Sequence, residues 1–233
     1  MTQQTPNNGA ESWSIEPPIP DDVMSLLIFG GAFDPPHRGH IELPARVMEE
    51  TSSDWLLYVP AAHSPLKEKA PQASGEDRLA MLRLALADQP STSVTNVEIV
   101  RGGASYTLDT LRQLRHRLPD DLILRVLIGA DQAASFHRWK APHEILKLAD
   151  LVVMLRPPDE SSVELLDRLS AHWSADELEQ WETRIIEMPI KKASSTHVRE
   201  ILRAAGPGSP DLAPLVPPGV LRYIADHNLY ADG

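Results

Sequence analysis

The sequence contains no cysteine, which excludes disulfide bonds, thiolate catalysis and zinc or iron–sulfur sites with cysteine ligands. Aromatic residues make up only 5% of the 233 residues, so the core has to be built mainly from aliphatic side chains. The sequence also lacks an apolar run near the roughly 18 residues of a transmembrane helix, and it lacks the pattern of a signal peptide. We therefore expect a soluble protein of the reducing cytoplasm.

Basic residues are few relative to acidic ones. The 22 Lys and Arg residues against 33 Asp and Glu residues leave a net charge of −11. Residues 1–23 contribute −4 and residues 157–190 contribute −7, so the rest of the chain is neutral overall. A broadly basic surface is needed to hold nucleic acid, and this balance argues against one. We expect small-molecule partners, with no nucleic acid and no membrane.

Apolar runs alternate with helical patterns along most of the chain. Predicted strands cover residues 24–29, 55–59, 94–100, 123–128 and 151–155, with a last short strand at 185–186. Predicted helices cover residues 40–49, 76–86, 106–118, 195–204 and 219–228. This order is typical of βαβ units, and it predicts an α/β fold with a doubly wound parallel sheet covered by helices on both faces.

The pattern predicts one domain, residues 23–233, after a polar extension. Residues 1–22 are rich in Gln, Asn, Ser, Pro and acidic residues, which predicts a flexible N-terminal segment. Residues 157–187 interrupt the alternation with acidic helical pieces and are interpreted as an insertion. Residues 207–233 combine a proline-rich linker with a terminal helix, so the C-terminal part is expected to be helical.

The residues between the first strand and the first helix carry the chemistry. Parallel sheets bind ligands outside the carboxyl ends of their strands, which is where this segment lies. Gly30 and Gly31 are expected to let the backbone approach a ligand and to adopt positive φ angles. Gly39 leaves the start of the helix, with its free N–H groups, open to an anion. We therefore expect a phosphate-binding turn here.

Two histidines follow in the same segment. His37 and His40 are three residues apart, so their rings project to one side of the helix start. Both imidazoles can donate hydrogen bonds to phosphate oxygens. An isolated His-x-x-His pattern is more often a surface feature, and without further acidic ligands it is weak evidence for a metal site. The strand, Gly-Gly turn and helix around this pair favour phosphate binding.

The stretch Gly30-Gly-x-Phe-Asp-Pro-x-His-x-Gly-His40 resembles the signature of nucleotidylyltransferases with a His-x-Gly-His motif. In this form it is similar to the bacterial nicotinate-nucleotide adenylyltransferases. Residues 194–199, Ser-Ser-Thr-His-Val-Arg, resemble the Ser-Ser-Thr-x-Ile-Arg motif of that family, with Val198 in place of Ile. The resemblance extends over residues 24–230 and implies a Rossmann-like nucleotidylyltransferase fold.

The resemblance implies that ATP and nicotinate mononucleotide are joined to give nicotinate adenine dinucleotide and pyrophosphate, a step of NAD biosynthesis. It places His40 on the α-phosphate, His37 on the phosphate chain and Arg199 on the leaving pyrophosphate. The implied ATP-binding residues are Gly30, Gly31, Phe33, Gly39, Gly129, Asp131, Ser195 and Thr196. The implied acceptor-binding residues are Asp34, Lys67, Tyr106, Thr107, Trp139 and Lys140, with the Trp139 ring stacked on the pyridine. Mg²⁺ is expected to bind through the ATP phosphates, with no metal site in the protein itself.

One loop departs from the family pattern, and other functions stay open at this point. In residues 60–69 the family commonly has an asparagine and a histidine where this chain has Ala61 and Leu66. The acceptor could instead be nicotinamide mononucleotide or phosphopantetheine. Two further alternatives are a non-catalytic nucleotide-binding module and a metal hydrolase that uses His37, His40 and Asp34, although a second acidic cluster is lacking.

Overall fold

A single mixed sheet organises the protein in the computed structural model, which describes residues 13–66, 69–155, 161–188 and 194–231. Its strands are β1 (Ile15–Glu16), β2 (Ser25–Gly31), β3 (Trp55–Pro60), β4 (Thr92–Thr95), β5 (Ile123–Gly129), β6 (Asp150–Leu155) and β7 (Ile185–Glu187). The strand order is β1-β4-β3-β2-β5-β6-β7, and all neighbours are parallel except β1, which is antiparallel to β4. The predicted doubly wound parallel sheet is confirmed.

Helices cover both faces of the sheet. They are α1 (Arg38–Glu50), α2 (Gly75–Leu86), α3 (Val97–Arg101), α4 (Thr107–Arg115), α5 (Ala130–Ala134), α6 (Pro142–Leu148), α7 (Ser162–Ser170), α8 (Ala175–Thr183), α9 (Ser195–Ala205) and α10 (Pro218–Asp226). Strand β2 shows the alternation that creates two cores, because Leu27 and Phe29 pack with α1, α2, α9 and α10, whereas Leu26 and Ile28 pack with α4, α6, α7 and α8. Within the described part of the chain, no helix has the length and apolar character of a membrane span.

The sheet begins earlier in the chain than expected. Residues 13–22 were predicted to be flexible, yet Ile15 pairs with Thr95 at the edge of the sheet. The Arg117 guanidinium lies 4.4 Å from the centre of the Trp13 ring and also donates a hydrogen bond to the Trp13 carbonyl. The prediction is therefore wrong for this part of the extension, because two apolar side chains are enough to pair and pack an edge strand. Residues 1–12 lie outside the described residues.

The strand predicted over residues 94–100 is shorter and is followed by a helix. Strand β4 ends at Thr95, whose side-chain oxygen accepts a hydrogen bond from the Val97 N–H at 3.2 Å. The chain then forms α3, which ends at Gly102 with a φ of 67°. A short run of alternating apolar residues fits a strand and a helical turn equally well, which explains the error.

The acidic segment 157–187 is part of the main fold. Helices α7 and α8 lead into β7, which pairs in parallel with β6. These helices are therefore the crossover of a βαβ unit, and the interpretation as an insertion is wrong. Their apolar sides are buried in the core: Leu165, Leu169 and Trp181 are each 0% exposed. The acidic residues lie on the opposite, solvated side. Because they dominate the composition of this segment, its sequence does not show the βαβ unit clearly.

Strand β2 marks the switch point of the sheet. The chain continues from β2 to β3 on one side, while β5 pairs with β2 on the other side. In open α/β sheets a crevice forms where the strand order reverses in this way, outside the carboxyl ends of the strands. Residues that follow β2 and β5 therefore meet at one edge, and the Gly30-to-His40 segment lies there.

Candidate active site

The two histidines lie at the start of α1 with their rings in contact. His37 is the residue before the first helical turn, and its backbone N–H donates to Nδ1 of His40 at 3.3 Å. The rings are stacked, with centroids 3.7 Å apart and planes inclined by 19°. Because Nδ1 of His40 accepts this bond, a neutral His40 carries its proton on Nε2. His40 can therefore donate a hydrogen bond from Nε2 while its ring is uncharged.

An aromatic cluster under His40 holds this pair in place. The Phe33 ring meets His40 edge to face at 5.1 Å, and Phe29 and Tyr58 complete the cluster. The Tyr58 hydroxyl donates to the His40 carbonyl at 3.0 Å. Burial raises the pKa of Tyr58, so the hydroxyl stays protonated and keeps donating. The sequence signal for this role was slight: Tyr58 is the one hydroxyl-bearing side chain in the apolar run of β3.

The two glycines do not adopt the predicted positive φ angles. Gly30 and Gly31 end β2 in extended conformation, and the residue with positive φ is Phe33, at 50°. Gly31 is required by packing, since a Cβ there would lie 2.9 Å from Cζ of Phe33. A Cβ on Gly30 would meet only the Val59 carbonyl, at 3.9 Å.

Alanine should therefore lower stability at Gly31 and impair substrate binding at Gly30. We expect Gly31→Ala to lower the free energy of unfolding by about 1–3 kcal/mol through overpacking. Gly30→Ala should leave stability within about 0.5 kcal/mol, as at sites free of steric conflict, and should instead raise KM because its new methyl group enters the cavity described below. Urea unfolding and steady-state kinetics on both variants test this, and equal destabilisation of the two would contradict it.

Arg199 reaches the same place from a distant part of the chain. Its guanidinium donates to the Asp34 carbonyl and, at 3.3 Å, to the side-chain oxygen of Thr196. The Ser195 hydroxyl donates to the Pro35 carbonyl at 3.0 Å. The first turn of α9 is thus fastened to the segment that precedes His37, and the two sequence motifs come together.

Asp34, which was predicted to bind the acceptor, is buried among the protein's own hydrogen-bond donors. It is 4% exposed, and its carboxylate accepts hydrogen bonds from the Gln72 N–H at 2.8 Å, the Ala73 N–H at 3.0 Å and the Tyr230 hydroxyl at 2.7 Å. Because the protein's own donors occupy this carboxylate, we correct the predicted contact with the acceptor. Asp34 instead links the turn between β2 and α1 to residues 72–73 and to Tyr230.

A buried arginine that the sequence analysis missed supports the same turn. Arg78 of α2 is 2% exposed, and it donates to the carbonyls of Ala32 at 2.8 Å, Ala61 at 2.7 Å and Ala73 at 3.3 Å. Burial lowers its pKa, and the nearby Asp34 charge partly reverses that shift. Arg78 therefore joins the loops after β2 and β3 to the start of α2. In the sequence it looks like any helical arginine.

A cavity of about 460 Å³ opens beside the turn, at the carboxyl ends of β2 and β5. Among the predicted site residues, its lining includes Gly30, Gly31, Tyr106, Thr107, Asp131, Trp139 and Lys140. Lining residues that were not predicted include Ala61, Ser64, Pro65, Leu66, Glu98, Gln132 and Arg138. The histidine pair and Arg199 are not among the lining residues. Lys67 lies outside the described residues.

One wall of the cavity is formed by the Trp139 ring and by Tyr106 and Thr107 at the start of α4. Trp139 packs on Phe136 at 5.0 Å, and its buried Nε1 has no hydrogen-bond partner in the part of the chain that the structure describes. Nζ of Lys140 lies 2.9 Å from both carboxylate oxygens of Asp109 and 4.9 Å from the Tyr106 ring centre. The Lys140 side chain thus ties this wall to α4.

A second histidine pair includes His137, which lies two residues before Trp139 in the chain. The His137 and His172 rings stack at 3.5 Å. Burial and then the neighbouring His172 lower the pKa of His137. Such a shift means that the unfolded chain binds the proton more readily. The stability that His137 contributes is therefore fully present above the unfolded value of about 6.5 and is lost as the pH falls through the folded value.

We expect the free energy of unfolding to fall between pH 7.5 and pH 5.5, and to fall less in a His137→Gln variant. Urea unfolding at both pH values measures the difference. His116→Gln is the matched control, because His116 is an exposed residue at the end of α4, and it should keep the wild-type dependence. The same dependence in wild type and His137→Gln would contradict the expectation.

Comparison with known proteins gives one consistent result. The model of the family described as cytidylyltransferase-like matches residues 28–201. A probable nicotinate-nucleotide adenylyltransferase of Neisseria meningitidis is 34% identical over 208 residues, 89% of this chain and 99% of that protein. One of Rhodopirellula baltica is 39% identical over 184 residues, 77% of this chain and 83% of that protein. The Plasmodium falciparum nicotinic acid mononucleotide adenylyltransferase, solved with NaAD, has a TM-score of 0.63 at 15% identity, covering 88% of this chain and 97% of that one.

Proposed function

Because the chain belongs to the nicotinate-nucleotide adenylyltransferases of the cytidylyltransferase-like family, we propose that it transfers an adenylyl group from ATP to nicotinate mononucleotide. A phosphate oxygen of the mononucleotide attacks the α-phosphorus of ATP. The bond from that phosphorus to the bridging oxygen breaks, and pyrophosphate leaves with nicotinate adenine dinucleotide as the second product. The observation that carries this proposal is the stacked His37–His40 pair beside the 460 Å³ cavity.

The phosphates of ATP would lie over the start of α1. Nε2 of His40 would donate to the α-phosphate, and His37 would contact the phosphate chain. The exposed side of the Arg199 guanidinium would hold the leaving pyrophosphate, with Ser195 and Thr196 at the start of α9 beside it. These donors act where negative charge grows during the reaction, which is the main way such a site accelerates phosphate chemistry. Gly39, buried in the first turn of α1, adds no side chain there.

The adenosine would lie along the end of β5, and the acceptor would fill the cavity. Gly129 and Asp131 follow β5, and the exposed Asp131 carboxylate can accept hydrogen bonds from ribose hydroxyls. The pyridine ring would stack on Trp139. The carboxylate of the nicotinate would meet the backbone N–H at Thr107, the first residue of α4, because the first N–H groups of a helix lack a carbonyl one turn earlier and favour an anion.

The reaction does not require a strong general base from the protein. The 5′-phosphate of the acceptor has a second pKa of about 6 and is therefore ionised at neutral pH without a general base. Alignment of the two substrates and stabilisation of charge are what remains. This requirement fits a site built from histidines, an arginine and helix N-termini.

We propose that magnesium enters the site with ATP. In residues 13–66, 69–155, 161–188 and 194–231, no group of three or more His, Asp or Glu side chains is arranged to hold a metal ion. A site of this kind fits an ion held through phosphate oxygens and water. When bound, it would neutralise phosphate charge. The substrates proposed here are small molecules, and we place the reaction in the cytoplasm, where ATP is available.

The test compares acceptors. The protein is incubated with ATP, magnesium and either nicotinate mononucleotide, nicotinamide mononucleotide or phosphopantetheine, and released pyrophosphate is measured. We expect release with the nicotinate form to exceed release with the other two by at least an order of magnitude, because a site built for a polar group rejects analogues that leave its donors unpaired. Faster release with phosphopantetheine, or none with any acceptor, would overturn the proposal.

A further inference from the structure

The last described residues of the chain contact the segment between β2 and α1. After α10 the chain turns back, with the Leu229 N–H bonded to the Ile224 carbonyl at 3.0 Å and Tyr230 at a positive φ of 62°. This turn buries Tyr230 to 7% exposure and directs its hydroxyl to the Asp34 carboxylate, 2.7 Å away. The two residues are 196 positions apart in the sequence.

The Asp34 carboxylate lies between Tyr230 and Arg199. Its Oδ1 accepts from Tyr230 and from the Ala73 N–H, and its Oδ2 accepts from the Gln72 N–H. Nη1 of Arg199 lies 3.7 Å from Oδ2, beyond hydrogen-bond distance, and donates instead to the backbone carbonyl of Asp34. Asp34 thus faces Arg199 without a direct hydrogen-bonded ion pair.

Tyr230 is one of the donors that make this arrangement possible. A carboxylate buried to 4% exposure attracts any cation near it, because water screens its charge poorly. The Asp34 carboxylate accepts three hydrogen bonds, from Gln72, Ala73 and Tyr230. These bonds compensate part of its negative charge and so weaken its attraction for the Arg199 guanidinium. Burial raises the pKa of Tyr230, and so does the Asp34 charge, so its hydroxyl stays protonated and remains a donor.

We propose that Tyr230 is a positioning residue for Arg199, acting through Asp34 to hold the guanidinium where it can bind the pyrophosphate part of ATP. Without the Tyr230 hydroxyl, the Asp34 carboxylate draws Arg199 into a direct ion pair and away from the phosphates. This inference rests on the proposed adenylyl transfer and deepens it. It assigns a role in the reaction to a residue outside both sequence motifs.

The test uses Tyr230→Phe in the full chain, which removes the hydroxyl and keeps the ring that packs in the core. We expect kcat to fall about tenfold, which corresponds to one hydrogen bond to a charged group, with KM for nicotinate mononucleotide within twofold. Affinity for pyrophosphate alone, measured by calorimetry, should fall by a similar factor. Unchanged kcat and unchanged pyrophosphate affinity in folded Tyr230→Phe would overturn the inference.

Tyr223→Phe is the matched control. Its hydroxyl also donates to a carboxylate, Asp77 at 3.0 Å, and it belongs to the same C-terminal region, but Asp77 has no contact with Arg199 among the described residues. We expect its kcat to stay within twofold of wild type. An equal loss in both variants would show that any tyrosine of this region matters only for packing, and would overturn the inference.

An Arg199→Ala background separates positioning from general loosening of the fold. If Tyr230 acts through Arg199, adding Tyr230→Phe to Arg199→Ala changes kcat no further. If the same tenfold loss appears in both backgrounds, the inference is wrong. Should Tyr230→Phe fail to fold, a crystal structure of the wild type with pyrophosphate decides. Arg199 on the anion with the Tyr230–Asp34 bond intact supports the inference, and an Arg199–Asp34 ion pair remote from the anion overturns it.

Failure of this inference can be told apart from failure of the proposed function. Wild-type protein that releases no pyrophosphate with any acceptor refutes the proposed function. In that case the calorimetric arm still measures whether Tyr230 controls anion binding by Arg199. Active wild type with an equally active Tyr230→Phe variant refutes the inference alone.

Discussion

His40→Ala is expected to lower kcat about 100- to 1000-fold, the loss typical of removing one donor that stabilises charge in a transition state. Affinity for ATP should fall far less, by under about tenfold, since in the ground state the residue contributes a single hydrogen bond. The reason lies in the geometry: the His37 N–H occupies Nδ1 of His40, which leaves Nε2 as the donor. The predicted split between kcat and binding follows from this orientation.

Pyrophosphate release at saturating substrates gives kcat, and equilibrium binding of a non-hydrolysable ATP analogue gives affinity. His116→Ala serves as the control, because this exposed histidine at the end of α4 should leave both quantities unchanged. A His40→Ala enzyme that turned over at a rate near that of wild type would remove His40 from the reaction. A loss confined to ATP affinity would assign it to binding alone.

Arg78→Met is expected to lower the free energy of unfolding by about 3–5 kcal/mol, the cost of breaking a buried charged network by removing one partner. Three carbonyls, those of Ala32, Ala61 and Ala73, lose their donor at once. The buried Asp34 also loses a nearby cation. Methionine fills much of the volume, so the loss reports the polar contacts and not an empty space.

Urea unfolding of Arg78→Met, followed by circular dichroism, measures this loss. Arg83→Met on the same helix is the matched control: its ion pair with Glu16 spans 2.8 Å, but the two side chains are 43% and 52% exposed. Exposed ion pairs contribute at most about 1 kcal/mol, so Arg83→Met should remain close to wild type. Equal losses in the two variants would mean that the loops are held by contacts other than those of Arg78.

Much of the fold and the central part of the site were predictable because their signals are local. Strands β2, β3 and β5 appear as apolar runs that end at glycine or proline, and β6 appears as an apolar run that ends at Leu155. A parallel sheet follows from their alternation with helices. The His37–His40 pair could be located from its spacing at a helix start, which brings two rings to one side. Such features depend on residues within one turn or one strand of each other.

Other features could not be predicted, since their partners are distant in the sequence. Asp34 looked available for a substrate because the sequence does not show that Tyr230, 196 residues later, uses its carboxylate. Arg78 looked like an ordinary surface arginine, because three loops bury it only after the sheet has formed. The crossover helices α7 and α8 looked like an insertion, because β7 is only three residues long and is defined by its pairing with β6.

The sequence alone determined the class of fold, and it located the segment after β2 that is proposed to bind phosphate and the second motif around Arg199, because short-range spacing and residue type decide these. The tertiary structure decided what those residues do with one another. It placed the Arg199 guanidinium on the Asp34 carbonyl and kept it 3.7 Å from the carboxylate. Buried charges interact strongly over such distances because no water screens them, so their balance depends on neighbours that only the folded chain supplies.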